Sequence, residues 1–127
     1  MITSGSTIHG GEESDFVTLL QNESDGFISI TDQKLTVEKG SVSVSTANEL
    51  DAITTGKITA SIATDSTVDD LATLTGTNAY TIVINAVDAT GSIASELNTI
   101  EEATSVQVDA SAITDISGDY SDITDLY

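Results

Sequence analysis

Chemistry in this chain of 127 residues starts from a short inventory: one histidine, no cysteine, and 21 carboxylates against three lysines and no arginine. Imidazole catalysis would fall to His9, in the Gly-rich segment His9-Gly-Gly-Glu-Glu-Ser14. It would also need a positioned nucleophile and an orienting third group. Nothing nearby supplies that set, so His9 reads as a solvated loop residue. Carboxylate pairs of the kind that cleave glycosides can be drawn anywhere among 21 acids, so closeness in sequence decides nothing. Neither a Walker phosphate loop nor a dinucleotide fingerprint is present. No catalytic residue is assigned, and the chain is not read as an enzyme.

Calcium is the stronger candidate ligand because hard oxygen donors abound. Gly10-Gly11-Glu12-Glu13-Ser14-Asp15-Phe16 partly imitates the calcium-binding β-roll repeat, but Glu13 stands where a glycine belongs and the segment occurs once. Taking Gly26 as the sixth residue of an EF-hand loop places Gln21 first, Glu23 third, Asp25 fifth and Asp32 twelfth. Gln21 is a poor first ligand, and Asp32 replaces the bidentate glutamate. Glu23, Asp25 and Asp32 are therefore metal candidates that fall short of a dedicated site. The acids read as solvated surface and helix N-terminal charge, with weak, diffuse divalent binding and no cofactor expected.

The charge balance bounds the partners. The formal net charge is −18, and all three cations, Lys34, Lys39 and Lys57, lie in the first half, leaving twelve acids and no base from Ile58 onward. That half must repel itself at low ionic strength. Nucleic-acid binding, which needs Lys or Arg against phosphates, is disfavoured, as is docking on anionic membrane. No stretch approaches the roughly 20 apolar residues of a membrane span, and the start, Met1-Ile-Thr-Ser-Gly-Ser6, has no basic segment followed by an apolar run.

The elements that would position any site repeat. An acid, an apolar residue, two spacers and a second apolar residue recur at Asp15–Leu19, Glu49–Ile53, Asp70–Leu74, Glu96–Ile100 and Asp122–Leu126, at intervals of 34, 21, 26 and 26. Apolar residues at i and i+3 share a helical face. Ser or Thr precedes each pentad (Ser14, Thr46 with Glu49, Ser66-Thr67, Ser92 or Ser95, Ser121), offering side-chain caps. Between pentads lie alternating or β-branched runs at Phe27–Ile30, Ser41–Ser45, Lys57–Ile62, Tyr80–Ala86 and Ser105–Asp109, which read as strands.

A strand and short helix of about 22 to 26 residues cannot bury an apolar face alone and must stack on a copy of itself. The expected fold is an α/β strand-helix solenoid, with parallel strands along one side and short helices on the other. Residues 1–40 are expected as an N-terminal loop, helix and hairpin (Phe27–Thr31 with Leu35–Val37) that caps the stack. Residues 41–127 form the repeats, divided at about 41–56, 57–78, 79–104 and 105–127. Tyr80, Tyr120 and Tyr127 lie near repeat boundaries, suited to edge packing or a stacked row. Ile123, Leu126 and Tyr127, on an unfinished last unit, are end-to-end stacking candidates.

At Asp70-Leu-Ala-Thr-Leu-Thr-Gly-Thr-Asn-Ala-Tyr-Thr-Ile82, Glu96-Leu-Asn-Thr-Ile100 and Val108-Asp-Ala-Ser-Ala-Ile-Thr-Asp-Ile-Ser-Gly118, the chain resembles degenerate acidic Thr/Asp-rich repeats of very large surface and structural proteins of marine cyanobacteria and their phages. The resemblance covers roughly residues 41–127. It implies a structural or adhesive role at a cell surface, fibre or virion, with neighbouring repeats, copies of itself or a surface receptor as partner. It brings no catalytic residues. The other expectation is a calcium-dependent domain binding glycans or cell surfaces.

Overall fold

The computed structural model describes residues 4–85 and 93–125. The elements run β1 (Thr7–Gly10), α1 (Glu13–Ser24), β2 (Lys34–Val37), α2 (Val44–Ile53), β3 (Ile58–Ser61), α3 (Val68–Leu71), β4 (Ala79–Thr81), α4 (Ile93–Glu102) and α5 (Tyr120–Asp125). The fold is mixed α/β, with an open four-stranded sheet in the order β1-β2-β3-β4 and parallel pairing throughout. Single parallel bridges, Asn78 to Thr104 and Val83 to Asp109, carry the pairing past β4. Paired residues lie 27 apart at Ile8–Leu35, 23 at Leu35–Ile58, 20 at Thr59–Ala79 and 26 at Asn78–Thr104.

Alternation along the strands sorts the two faces of the sheet. Leu35, Val37, Ile58, Ala60 and Tyr80 are buried, whereas Lys34, Thr59, Ser61 and Thr81 are exposed. The first four pentads send apolar residues inward, from α1, α2, α3 with the turn after it, and α4: Phe16, Leu50, Leu71, Leu74, Leu97 and Ile100 share one core with the buried strand residues. Helix α5, which carries most of the fifth pentad, has no buried residue. Each fully buried Leu or Ile contributes about 1.5–3 kcal/mol relative to exposure. Parallel sheets are ordinarily covered on both faces; this one buries a single face, and its other face is a row of Thr, Ser and Lys.

Helix starts follow local chemistry. Ser43 Oγ accepts the Thr46 N–H at 3.2 Å to cap α2, and Thr67 Oγ1 accepts the Asp70 N–H at 3.1 Å to cap α3. At α1 the Asp15 carboxylate accepts the Glu12 N–H at 3.0 Å. The caps therefore differ from expectation at three helices: Ser14 lies inside α1, Thr46 is the third residue of α2, and Ser121 is the second residue of α5. Glu49, sixth in α2, is too far from that N-terminus to complement the macrodipole. Ser92 lies outside the described residues, and Ser95 is within α4.

The N-terminal hairpin is corrected outright. Phe27–Ile30 forms no strand, and β2 pairs in parallel with β1, so residues 7–37 form a strand-helix-strand passage like those that follow. The chain reverses through α1 rather than through Asp32-Gln33. His9 and Gly10, expected in a loop, belong to β1. Gly10 is required there because a Cβ would enter the Phe16 ring. The run Ser41–Ser45 contributes only a Val42–Ile62 bridge before α2 begins, and Ser105–Asp109 contributes a bridge at Asp109 in place of a full strand.

Candidate functional site

Successive units are held by polar groups at the turns preceding the strands. Thr54 Oγ1 donates to the Gln33 carbonyl at 2.6 Å and accepts the Gly56 N–H at 3.0 Å. Thr104 Oγ1 donates to the Tyr80 carbonyl at 2.6 Å and accepts the Tyr80 and Val106 N–H groups, each at 3.1 Å. Between them sits Asn78. Its Oδ1 accepts the Ile58 N–H at 3.0 Å, while Nδ2 reaches Asp51 Oδ1 at 3.0 Å and Tyr80 Oη at 3.2 Å. The phenol in turn lies 3.4 Å from the Ala47 carbonyl. Burial first, then the Asp51 carboxylate, raises the Tyr80 pKa well above its ordinary value and holds the hydroxyl neutral. Among the described residues every buried side-chain N or O atom has a partner. This cluster is sealed and satisfied, so it fixes register and offers no reactive group.

The helices need a different link, because strands repeat at about 4.8 Å and helices pack 8 to 10 Å apart. Asn48 bridges α2 to the turn after α3, donating to the Thr73 carbonyl at 3.1 Å and accepting the Thr75 N–H at 2.9 Å. Asn98 donates to the Asp122 carbonyl of α5 at 2.9 Å. Glu13 Oε1 reaches across from α1 to Ser43 N and Oγ, at 2.9 and 2.8 Å. The Ser43 backbone bond is the main cause that lowers the Glu13 pKa. Glu96 is raised instead, by partial burial first and then by the neighbouring Asp69 carboxylate.

The proposed calcium ligands are not drawn together into one set of donors. Glu23 lies in the last turn of α1, and Asp25, its C-cap residue, accepts Gln21 Nε2 at 3.0 Å. Asp32 accepts from Ser4 Oγ and from Gln33 Nε2, the latter at 2.9 Å, and the Ser4 hydroxyl is the chief cause of its lowered pKa. Among the described residues, no group of three or more His, Asp or Glu is placed to hold a metal ion. His9 Nδ1 sits 3.0 Å from Glu38 Oε1 on the solvent face, with no nucleophile in the arrangement.

Among the described residues, the exposed face of the sheet and its two edges carry the side chains most open to solvent. At the C-terminal end, Leu97, Val106, Val108, Ala110 and Ile116 line the apolar part of a mixed groove of about 510 Å³ that Glu101 and Gln107 also border. Ile123 is half-buried on α5, while Leu126 and Tyr127 lie outside the described residues. The tyrosines form no row, since Tyr80 is in the core and Tyr120 is 87% exposed. Val106 and Ile116 carry no signal of their own in the sequence: the Val-Gln-Val alternation reads as an ordinary strand, and the exposure of both side chains is visible only in the fold. No helix among the described residues is long and apolar enough to cross a membrane. Comparison with protein-family models, curated proteins and solved structures finds no match to this chain.

Proposed function

We propose that the chain is a structural or adhesive repeat module, a short strand-helix solenoid whose stacked acidic units serve assembly or attachment within a larger surface, fibre or virion protein. The observation that carries this reading is the one-faced parallel sheet, laid down strictly in chain order. Open α/β sheets that bind small molecules do so where strand order reverses and a crevice opens beyond the strand ends. An order of β1-β2-β3-β4 has no reversal and so builds no such crevice. It instead presents a continuous Thr, Ser and Lys row outside and a chain of unit-to-unit hydrogen bonds within.

Thermal unfolding separates this role from a calcium-dependent glycan- or cell-surface-binding domain. The chain is titrated with calcium against sodium chloride at matched ionic strength. A structural module shows the same gradual rise of midpoint with either salt. A saturable rise at stoichiometric calcium would overturn the structural reading, because a ligand that binds only the folded state stabilises it in proportion to site occupancy. The stacked core is tested by Leu97→Asp, which places an unpaired charge at a position 5% exposed and should abolish the cooperative transition. Native circular dichroism and melting in that variant would sink the solenoid.

A further inference from the structure

Burial along the sheet depends on having a neighbour on each side. Leu35 and Ile58, which share a register position with Ile8, are both 0% exposed, yet Ile8 is only half-buried because β1 pairs with β2 on one side and, among the described residues, with no strand on the other. The far end mirrors this. The Val83–Asp109 bridge sets Val108 beside Ile82 and Ala110 beside Ile84. Ile82 and Ile84, covered by that segment, are 1% and 0% exposed, while Val108 and Ala110 remain partly exposed. Val106, at 38%, and Ile116, at 43%, extend the uncovered row along the groove.

The backbone repeats the pattern. Asp109 donates to the Ile82 carbonyl at 2.9 Å and accepts the Ile84 N–H at 2.8 Å. Alternation in a parallel ladder therefore turns the N–H and C=O of Val108 to the open side. At β1, the Ser6 and Gly10 carbonyls accept from Lys34 and Glu38, at 2.8 and 3.0 Å. The same alternation points Thr7 and His9 outward.

We propose that these two edges are halves of a single interface, filled by a second copy of the chain stacked head to tail, with its β1 laid parallel against segment 104–110. The proposal rests on the stacked-unit reading above. The interface already formed between β4 and segment 104–110 shows what covers such a surface: a parallel strand bearing inward apolar residues, which β1 supplies through Ile8. A two-fold arrangement would join like edges and leave the opposite ends uncovered. Head-to-tail stacking pairs both edges and does not close, so it yields open chains of copies. Both ends carry exposed acids, Glu12 and Asp15 at one and Asp109, Asp115 and Asp119 at the other. Assembly therefore needs salt to screen the repulsion.

The test is size-exclusion chromatography with light scattering at low and physiological salt, on the wild type and two blocked forms. His9→Pro removes an outward N–H from an edge strand, where proline is tolerated. Val106→Asp with Ile116→Asp charges the groove. The wild type should form a ladder of species above monomer mass in salt, each blocked form alone should be monomeric, and an equimolar mixture should give a 1:1 dimer through the two intact edges. Hydrogen exchange on the unmodified chain keeps the test valid should the proline disturb folding: the Thr7, His9 and Val108 amides should slow as concentration rises. A wild type that is monomeric in salt with those amides unprotected overturns the proposal, as does a discrete dimer that both blocked forms retain. Either result leaves the stacked-unit reading standing, since that reading falls with Leu97→Asp instead.

Discussion

Asn78 uses both ends of its amide inside the core. Its oxygen closes the Ile58 N–H and its nitrogen serves Asp51 and Tyr80. Asn78→Ala should therefore cost about 1–3 kcal/mol, because a buried donor and acceptors lose their partner without replacement. Asn78→Asp should cost more at neutral pH than in acid, since it sets a second carboxylate against Asp51. Urea midpoints for the two variants at neutral and acid pH check both expectations.

The titrating carboxylates work in opposite senses. The Glu13 pKa is lowered in the fold, so its contribution is present above the ordinary value of 4.5 and is lost as pH falls through the lower folded value. The Glu96 pKa is raised, so its charged form opposes folding at neutral pH, and that penalty is relieved as pH falls through the raised folded value towards 4.5. Glu13→Gln should destabilise and Glu96→Gln stabilise at neutral pH. Both differences should vanish in acid, as read from unfolding midpoints across the acid range.

At the scale of elements, the helices were far more legible than the strands. Each pentad carries its own evidence, an apolar pair at i and i+3, and Leu50, Leu71, Leu97 and Ile100 are accordingly buried. A run of four or five residues cannot separate a short strand from a helix start. Ser41-Val-Ser-Val-Ser45 alternates as a strand should, but Ser43 captures the Thr46 amide and Val44 becomes the first residue of α2. Phe27–Ile30 looked extended for its β-branched residues, yet Phe27 N–H closes onto the Asn22 carbonyl at 2.9 Å after a left-handed Gly26. The site was less legible still. Whether Val106 or Ile116 is covered depends on what the fold places beside it, a property of the tertiary arrangement and not of the segment. Ser43→Ala tests the element directly: losing this cap should cost about 1 kcal/mol, and more than Thr67→Ala, because Ser43 Oγ also holds Glu13 from the preceding helix.

For the molecule as a whole, electrostatics opposes compactness and only solvent ions relieve it. The net charge is −18, and among the described residues the one contact within 4.0 Å between a basic side chain and a carboxylate joins His9 to Glu38, both exposed. No lysine compensates the acids internally, so the repulsion is spread over the surface and screened over a Debye length that shortens from about 30 Å at 0.01 M to about 8 Å at 0.15 M salt. The melting midpoint should climb over that range and level off above it. A gain of about 1 kcal/mol corresponds to roughly 3–5 °C for a chain of 127 residues, which lies between the small and mid-sized domain classes. Neutralising Asp65, Asp69 and Asp70 together to Asn should flatten the climb without moving the high-salt plateau by more than about 1 kcal/mol, since all three are exposed. Head-to-tail assembly would also raise the midpoint in salt, but through mass action, so its share depends on protein concentration. Scans at two concentrations divide the effects: screening shifts both curves equally, and stacking raises only the more concentrated one. A midpoint independent of salt at both concentrations would remove self-repulsion as the term that limits this fold.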